Sequence, residues 1–167
     1  MARGHGANRR ARRISGLRNP YFEALKVLAI RLRTPARLPF PHTRDTIDEL
    51  LNRIRGRKIR VEFEQVRRPE PKIDPSREQL WLLDETGAGW DSRTWARKLE
   101  ESTDAGVKSI VLFVGGSHGV SPAVRKQARQ TISLGHGTFP SWLACLVAAE
   151  QIYRADSILR GSPYHHG

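Results

Sequence analysis

Ser109-Ile110-Val111-Leu112-Phe113-Val114-Gly115-Gly116-Ser117-His118-Gly119-Val120-Ser121-Pro122 is the stretch that decides the fold. Its first six residues form the most apolar segment of the chain, and they do not alternate with polar ones. A continuous run of that kind, closed by two glycines, predicts a central strand of a parallel sheet. Ser121-Pro122 predicts a helix start, with Ser as N-cap and Pro at the first helical position, where its missing N–H is no loss.

The same alternation continues on both sides. Upstream, Lys26 to Leu32 reads as a strand, followed by a connection rich in proline (Pro35, Pro39, Pro41). Ile47, Leu50, Leu51 and Ile54 share one helical face, on a helix begun near Thr43 or Asp45 and ended by Gly56. Ile59, Val61 and Phe63 alternate with charged residues, which predicts a strand with one wet face. Arg67 to Pro75 is a loop, and Leu80 to Asp84 a third strand. Gly87-Ala88-Gly89 then reads as a turn into a helix capped at Asp91 or Ser92, with Trp95 and Leu99 on its inner face. Downstream, Ile132-Ser133-Leu134 is a short strand, Gly135 to Phe139 a glycine-rich loop, and Pro140 the start of a last helix that ends at Gly161. Repeated β-α units of this kind predict an α/β/α sandwich around a mostly parallel sheet.

The chain has 167 residues, a formal charge of +12 and a pI near 11.0. Residues 1–18 hold six arginines and no acid, so half of the net charge lies in that stretch. We divide the chain into a basic extension at residues 1–22, expected to be disordered when free, and a single domain at 23–167. Three readings stand for the extension: a nucleic-acid-binding arm, an organelle transit peptide within residues 1–20, or an inert addition. Arginine exceeds lysine by 23 to 6, which suits bidentate phosphate contacts but also follows from a GC-rich genome. The charge points to a polyanionic partner, nucleic acid before an acidic membrane surface. No stretch approaches the ~18 apolar residues of a spanning helix, and no apolar segment follows the basic amino end. The expectation is a soluble, cytoplasmic protein without membrane attachment.

Three glycine-rich segments follow predicted strands: Gly87–Gly89, Gly115–Gly119 and Leu134–Phe139. In open α/β sheets ligands bind at the carboxyl ends of strands, so the three together predict one cleft. None matches a dinucleotide or Walker fingerprint. Metal catalysis is not expected: paired-carboxylate and H-E-x-x-H patterns are missing, and the adjacent His165 and His166 have no third ligand near them. Cys145, the single cysteine, rules out a disulfide framework and reads as a packed thiol inside an apolar helix. Glu150 and Arg154, at i and i+4, read as an ordinary helix-surface ion pair.

Taken in order, these motifs resemble a family. Val114-Gly115-Gly116-Ser117-His118-Gly119-Val120-Ser121-Pro122 is similar to the I-G-G-x-x-G-L-S-P turn of the ribosomal RNA large subunit methyltransferase H family, of the SPOUT class. The similarity continues through Ser133-Leu134, Thr138-Phe139-Pro140, Glu150 to Ala155 and the closing Gly161-Ser162-Pro163-Tyr164-His165. Leu82-Leu83-Asp84, Gly87 and Trp90-Asp91 fit as well, and residues 25–66 match more loosely. The resemblance implies a C-terminal trefoil knot, a homodimer whose active site uses both subunits, and methylation of N3 of a pseudouridine in large-subunit rRNA. It implies S-adenosylmethionine as cofactor, lying against Leu83, Gly115 and the loop Leu134, Gly135, His136, Gly137, Thr138 and Phe139. Arg154 would hold RNA phosphates, with Glu150 fixing it. Tyr164 and His165 would stack on or orient the base, with His165 as proton acceptor.

The chain also departs from that pattern. Ser141 stands where the family has His, Cys145 where it has Arg, and Gly135-His136-Gly137 replaces a less flexible Ser-x-x-Thr loop. His165-His166-Gly167 stands in place of a His-Arg-Glu type ending, and Arg67 to Arg77 replaces a whole helix. Because the missing His and Arg belong near RNA, a non-catalytic RNA- or ribosome-binding relative stands as the alternative, beside a methyltransferase with another RNA target.

Overall fold

The computed structural model describes residues 27–55 and 58–162. The extension at 1–22, the expected helix stop at Gly56, and Tyr164 and His165 lie outside the described residues. The elements run β1 (Leu28–Thr34), α1 (Thr43–Asn52), β2 (Ile59–Gln65), β3 (Glu78–Gly89), α2 (Ser92–Asp104), β4 (Ser109–Val114), α3 (Pro122–Gln127), β5 (Gln130–Ser133) and α4 (Ser141–Leu159). The five strands form one sheet in the order β2-β1-β4-β3-β5, and every pairing is parallel.

β4 is buried at all six positions because it lies between β1 and β3 with covered faces on both sides. Ile110, Leu112 and Val114 meet the larger core, which α1, α2 and α4 close with Ile47, Trp95, Leu99, Ala148 and Ile152. Val111 and Phe113 face the other way, against Leu80, Leu82 and Val124 of α3. Among the described residues the sandwich is therefore lopsided, with three helices on one face and only the six-residue α3 on the other. Val66, just after β2, and Ile73, from the segment Arg67 to Arg77, pack on this thinner side. Glu70 of the same segment accepts a 2.9 Å hydrogen bond from the Ser121 amide, which ties the segment to the start of α3. Beside α3, β1 and β2 expose cross-strand ion pairs instead of apolar side chains: Arg31 with Glu62, and Arg33 with Glu64. This is the wet face expected of β2.

The caps follow the sequence. Asp91 accepts from the Thr94 amide at 2.7 Å to start α2. Ser121 caps α3 with Pro122 just inside, and Gly161, at φ +63°, receives the chain after α4.

One expectation is corrected. Gly87-Ala88-Gly89 is not a turn: it is the end of β3. β3 pairs with β5 at Leu83↔Ile132, arches outward through residues 84–87, and returns to pair at Ala88↔Ile132 and Gly89↔Ser133. A Cβ on Gly87 would lie 2.5 Å from the Ile132 backbone nitrogen. Glycine is present there because two backbones touch, not because the chain reverses.

Candidate active site

A cleft of about 940 Å³ opens at the carboxyl ends of the central strands. Seven of the eight residues predicted to hold a cofactor line it: Leu83, Gly115, Leu134, Gly135, Gly137, Thr138 and Phe139. His136 belongs to the same loop but does not line the cleft. The walls come from chain segments distant in sequence, and each is shaped by local chemistry.

The turn after β4 closes on itself through the Gly119 amide, which donates to the Gly116 carbonyl at 2.9 Å. Gly119 sits at φ +67°, a region that favours glycine, and a Cβ on Gly115 would press on the Gly119 backbone at 3.2 Å. The turn thus offers bare backbone to the cleft. In the loop after β5, Ser133 Oγ donates to the Gly135 carbonyl at 2.8 Å and accepts from the Gly135 amide at 3.2 Å. Gly135 adopts φ +139° to allow this.

The arch of β3 supplies a polar corner. Asp84 Oδ1 accepts from Arg125 Nη1 at 2.6 Å, from Thr86 Oγ1 at 2.6 Å and from the Thr86 amide at 3.0 Å. Burial pushes the Asp84 carboxyl up, but the Thr86 hydrogen bonds and the Arg125 charge outweigh it and hold it below the ordinary aspartate range. The amino end of α4 completes the wall with Ser141 and Trp142, and no side chain caps it.

Residues 28–165 match the family model described as "Predicted SPOUT methyltransferase". The chain belongs to the SPOUT methyltransferase family. Three relatives are each named "Ribosomal RNA large subunit methyltransferase H". One, from Anaeromyxobacter sp. (strain Fw109-5), is 45% identical over 94 residues, which cover 56% of this chain and 60% of the relative. Another, from Gemmatimonas aurantiaca, is 36% identical over 112 residues, 66% of this chain and 72% of the relative. The third, from Nitrobacter winogradskyi, is 38% identical over 112 residues, 67% of this chain and 68% of the relative. The chain thus spans between 53% and 72% of the length of such curated relatives.

In this SPOUT methyltransferase Glu150 and Arg154 lie elsewhere. Arg154 Nε and Nη2 donate to Glu150 Oε1 at 2.9 and 2.6 Å, and Gln151 Nε2 donates to the other carboxylate oxygen at 2.6 Å. Glu150 lies six positions along the helix from Ala144, the last residue of α4 to line the cleft, roughly 9 Å at 1.5 Å per residue. Glu150 lines a different groove, about 430 Å³, where α1 meets α4 beside Leu50, Leu146 and Val147. One chain does not bring the pair to its own cleft.

Cys145 is fully buried in the larger core, and burial pushes its thiol up to about 12 against a hydrogen bond with Thr34 that lowers it. It packs, as its apolar setting predicts. Sequence reasoning missed Arg37, Asp84, Arg125 and Trp142, all of which line the cleft. Asp84 and Thr86, two apart, carry the spacing of a side-chain turn and could have been found. Arg125 has no such signal, because its partner is 41 residues away. Among the described residues no group of three His, Cys, Asp or Glu could hold a metal ion, and no helix is long and apolar enough to cross a membrane.

Proposed function

We propose that the chain methylates N3 of a pseudouridine in large-subunit rRNA, with S-adenosylmethionine as methyl donor and a homodimer as the working unit. One observation carries this reading: the three segments Leu83, Gly115 and Leu134–Phe139 meet in one cleft. The cleft suits the donor in size, since sites for ligands of this class measure roughly 300–1,000 Å³. Its composition suits it too. Leu83, Leu134 and Phe139 give apolar contact, while bare glycine backbone in the two turns can hydrogen-bond an adenine edge. The uncapped amino end of α4 favours the donor's carboxylate.

When bound, S-adenosylmethionine supplies an electrophilic methyl group on sulfur. The chain's part is to hold that methyl in line with N3 and to receive the proton that N3 loses as the N–C bond forms. Holding falls to the two glycine turns, whose shape is set by the Gly116–Gly119 and Ser133–Gly135 contacts. His165 is our assignment for the proton acceptor, with Tyr164 orienting the base. Arg154, braced by Glu150, would meet substrate phosphate at the cleft of a second copy, because it does not line its own. The apolar groove between α1 and α4 supports such pairing through α4. A trefoil knot in this half of the chain belongs to the same reading. We place its action in the cytoplasm, with an organelle address in residues 1–20 as the alternative.

Titration calorimetry with S-adenosylmethionine tests the reading first, and saturable binding at one site per chain is expected. No binding by an intact, folded dimer would sink it. Incubation with unmodified large ribosomal subunits should then produce methylated pseudouridine, detected by mass spectrometry. Cofactor binding without any methylated product would favour the non-catalytic alternative.

A further inference from the structure

Phe40 is the most exposed large apolar residue described, at 57%, and it stands beside the cleft. Its ring contacts Trp142 edge to face, with centroids 5.1 Å apart and planes at 81°, and Trp142 lines the cleft wall. The loop that carries Phe40 is firmly held. Thr34 Oγ1 accepts from the Ala36 amide at 3.1 Å, and Gln65 Nε2 donates to the Ala36 carbonyl at 2.8 Å. Leu38 packs against the larger core, and the Phe40 carbonyl accepts from the Thr43 amide at 3.1 Å. Pro39 and Pro41 restrict the backbone on either side. Pro35 lies within reach of Gly116, so the loop abuts the turn after β4.

An aromatic ring displayed by a braced loop differs from one left out by chance. Exposing it forgoes burial that a Phe side chain would otherwise gain, and the flanking prolines remove the freedom to fold it inward. The same loop turns Arg37 outward, into the lining of the cleft. A flat aromatic surface with a guanidinium beside it fits a nucleobase and the phosphate that follows it: every base has a π face, and Arg binds phosphate. The chain's +12 charge favours that polyanion over an apolar protein surface.

We propose that Phe40, backed by Trp142 and flanked by Arg37, is a stacking platform for an unpaired RNA base next to the one that is modified. It rests on the reading of the cleft as the site of an RNA-modifying enzyme. The platform takes a neighbouring nucleotide at the rim of the cleft, whose wall Arg37 and Trp142 share, so Phe40 is the residue that separates RNA affinity from donor binding. Phe40 itself does not line that pocket.

The test uses the full chain and a fluorescein-labelled single-stranded RNA of about 12 nucleotides, read by anisotropy over a salt series. Phe40→Ala should weaken RNA binding roughly tenfold or more, and Phe40→Trp should restore it to within about twofold. Arg37→Ala should flatten the dependence of log affinity on log salt by about 0.7, the loss of one phosphate contact. Calorimetric affinity for S-adenosylmethionine should be the same in wild type and Phe40→Ala. Unchanged RNA affinity in Phe40→Ala overturns the platform. So does a variant whose dimer dissociates in sedimentation while its RNA affinity holds, because the ring then contacts a second copy. Should Phe40→Ala fail to fold, Phe40→Leu keeps the bulk without the π face, and equal RNA affinity in that variant overturns the proposal. If wild type binds RNA but not S-adenosylmethionine, the donor assignment fails and the stacking comparison is still read.

Discussion

Gly87–Gly89 and Gly115–Gly119 look alike in sequence: each is a short glycine cluster after an apolar strand. In the fold they do opposite things. The first is strand, pressed so closely on β5 that a Cβ at Gly87 would meet backbone at 2.5 Å, whereas the second is a turn that opens backbone toward the cleft. Glycine serves close packing in one and conformation in the other. Only the second kind can present amides and carbonyls to a ligand, so a glycine cluster at a strand end is not in itself a site.

Substitutions that separate the two uses sharpen this comparison. Gly87→Ala should destabilise most, by about 3 kcal/mol or more in urea unfolding, because neither backbone at that crossing can give way. A stability equal to wild type would mean that the arch does not rest on β5. Gly135→Ala comes next, at about 2 kcal/mol. Space there is open, so the penalty comes from its φ of +139° alone, and S-adenosylmethionine affinity should fall with it. A variant that kept full affinity would remove this loop from the donor site.

Asp84→Asn should cost about 1 kcal/mol at neutral pH by weakening the tie between the arch and Arg125. Its pH dependence has a definite sign. A carboxyl lowered by folding contributes stability above its unfolded value, near pH 4, and loses that contribution as pH falls through its folded value. The gap between wild type and Asp84→Asn should therefore be full at neutral pH and close in acid. A gap that stayed constant from neutral to strongly acid pH would show that the Asp84 charge is not what ties the arch. Gly89→Ala is the smallest, within about 0.5 kcal/mol, since nothing lies within 4 Å of the added carbon. A large loss there would erase the distinction between Gly87 and its neighbour.

Much of the molecule was legible before any coordinates. β4, the Asp91 and Ser121 caps, the Pro140 start of α4 and the wet face of β2 all follow from signals within a few residues. Seven of the eight residues we propose for the donor line one cleft, and its place was legible because Leu83, Gly115 and the loop from Leu134 follow strand ends. The end of β3 was misread, since glycine in close packing and glycine in a turn carry the same letter. Glu150 and Arg154 show the reverse limit. Their i, i+4 contact was plain, but not the side of the molecule to which α4 would turn it.

By itself, then, the sequence determined the order and type of the elements, their caps, and the burial of β4. These depend on φ/ψ preference, on hydrogen bonds a turn apart, and on the period at which apolar side chains recur. Tertiary structure alone decided which strands lie side by side, the arch of β3 over Ile132, and the exposure of Phe40 against Trp142. It also joined Asp84 to Arg125 and the Arg55 amide to Asp156, partners 41 and 101 residues apart. Such contacts form only when whole elements dock, and the free energy of docking belongs to the assembled core, so no local stretch of sequence encodes it.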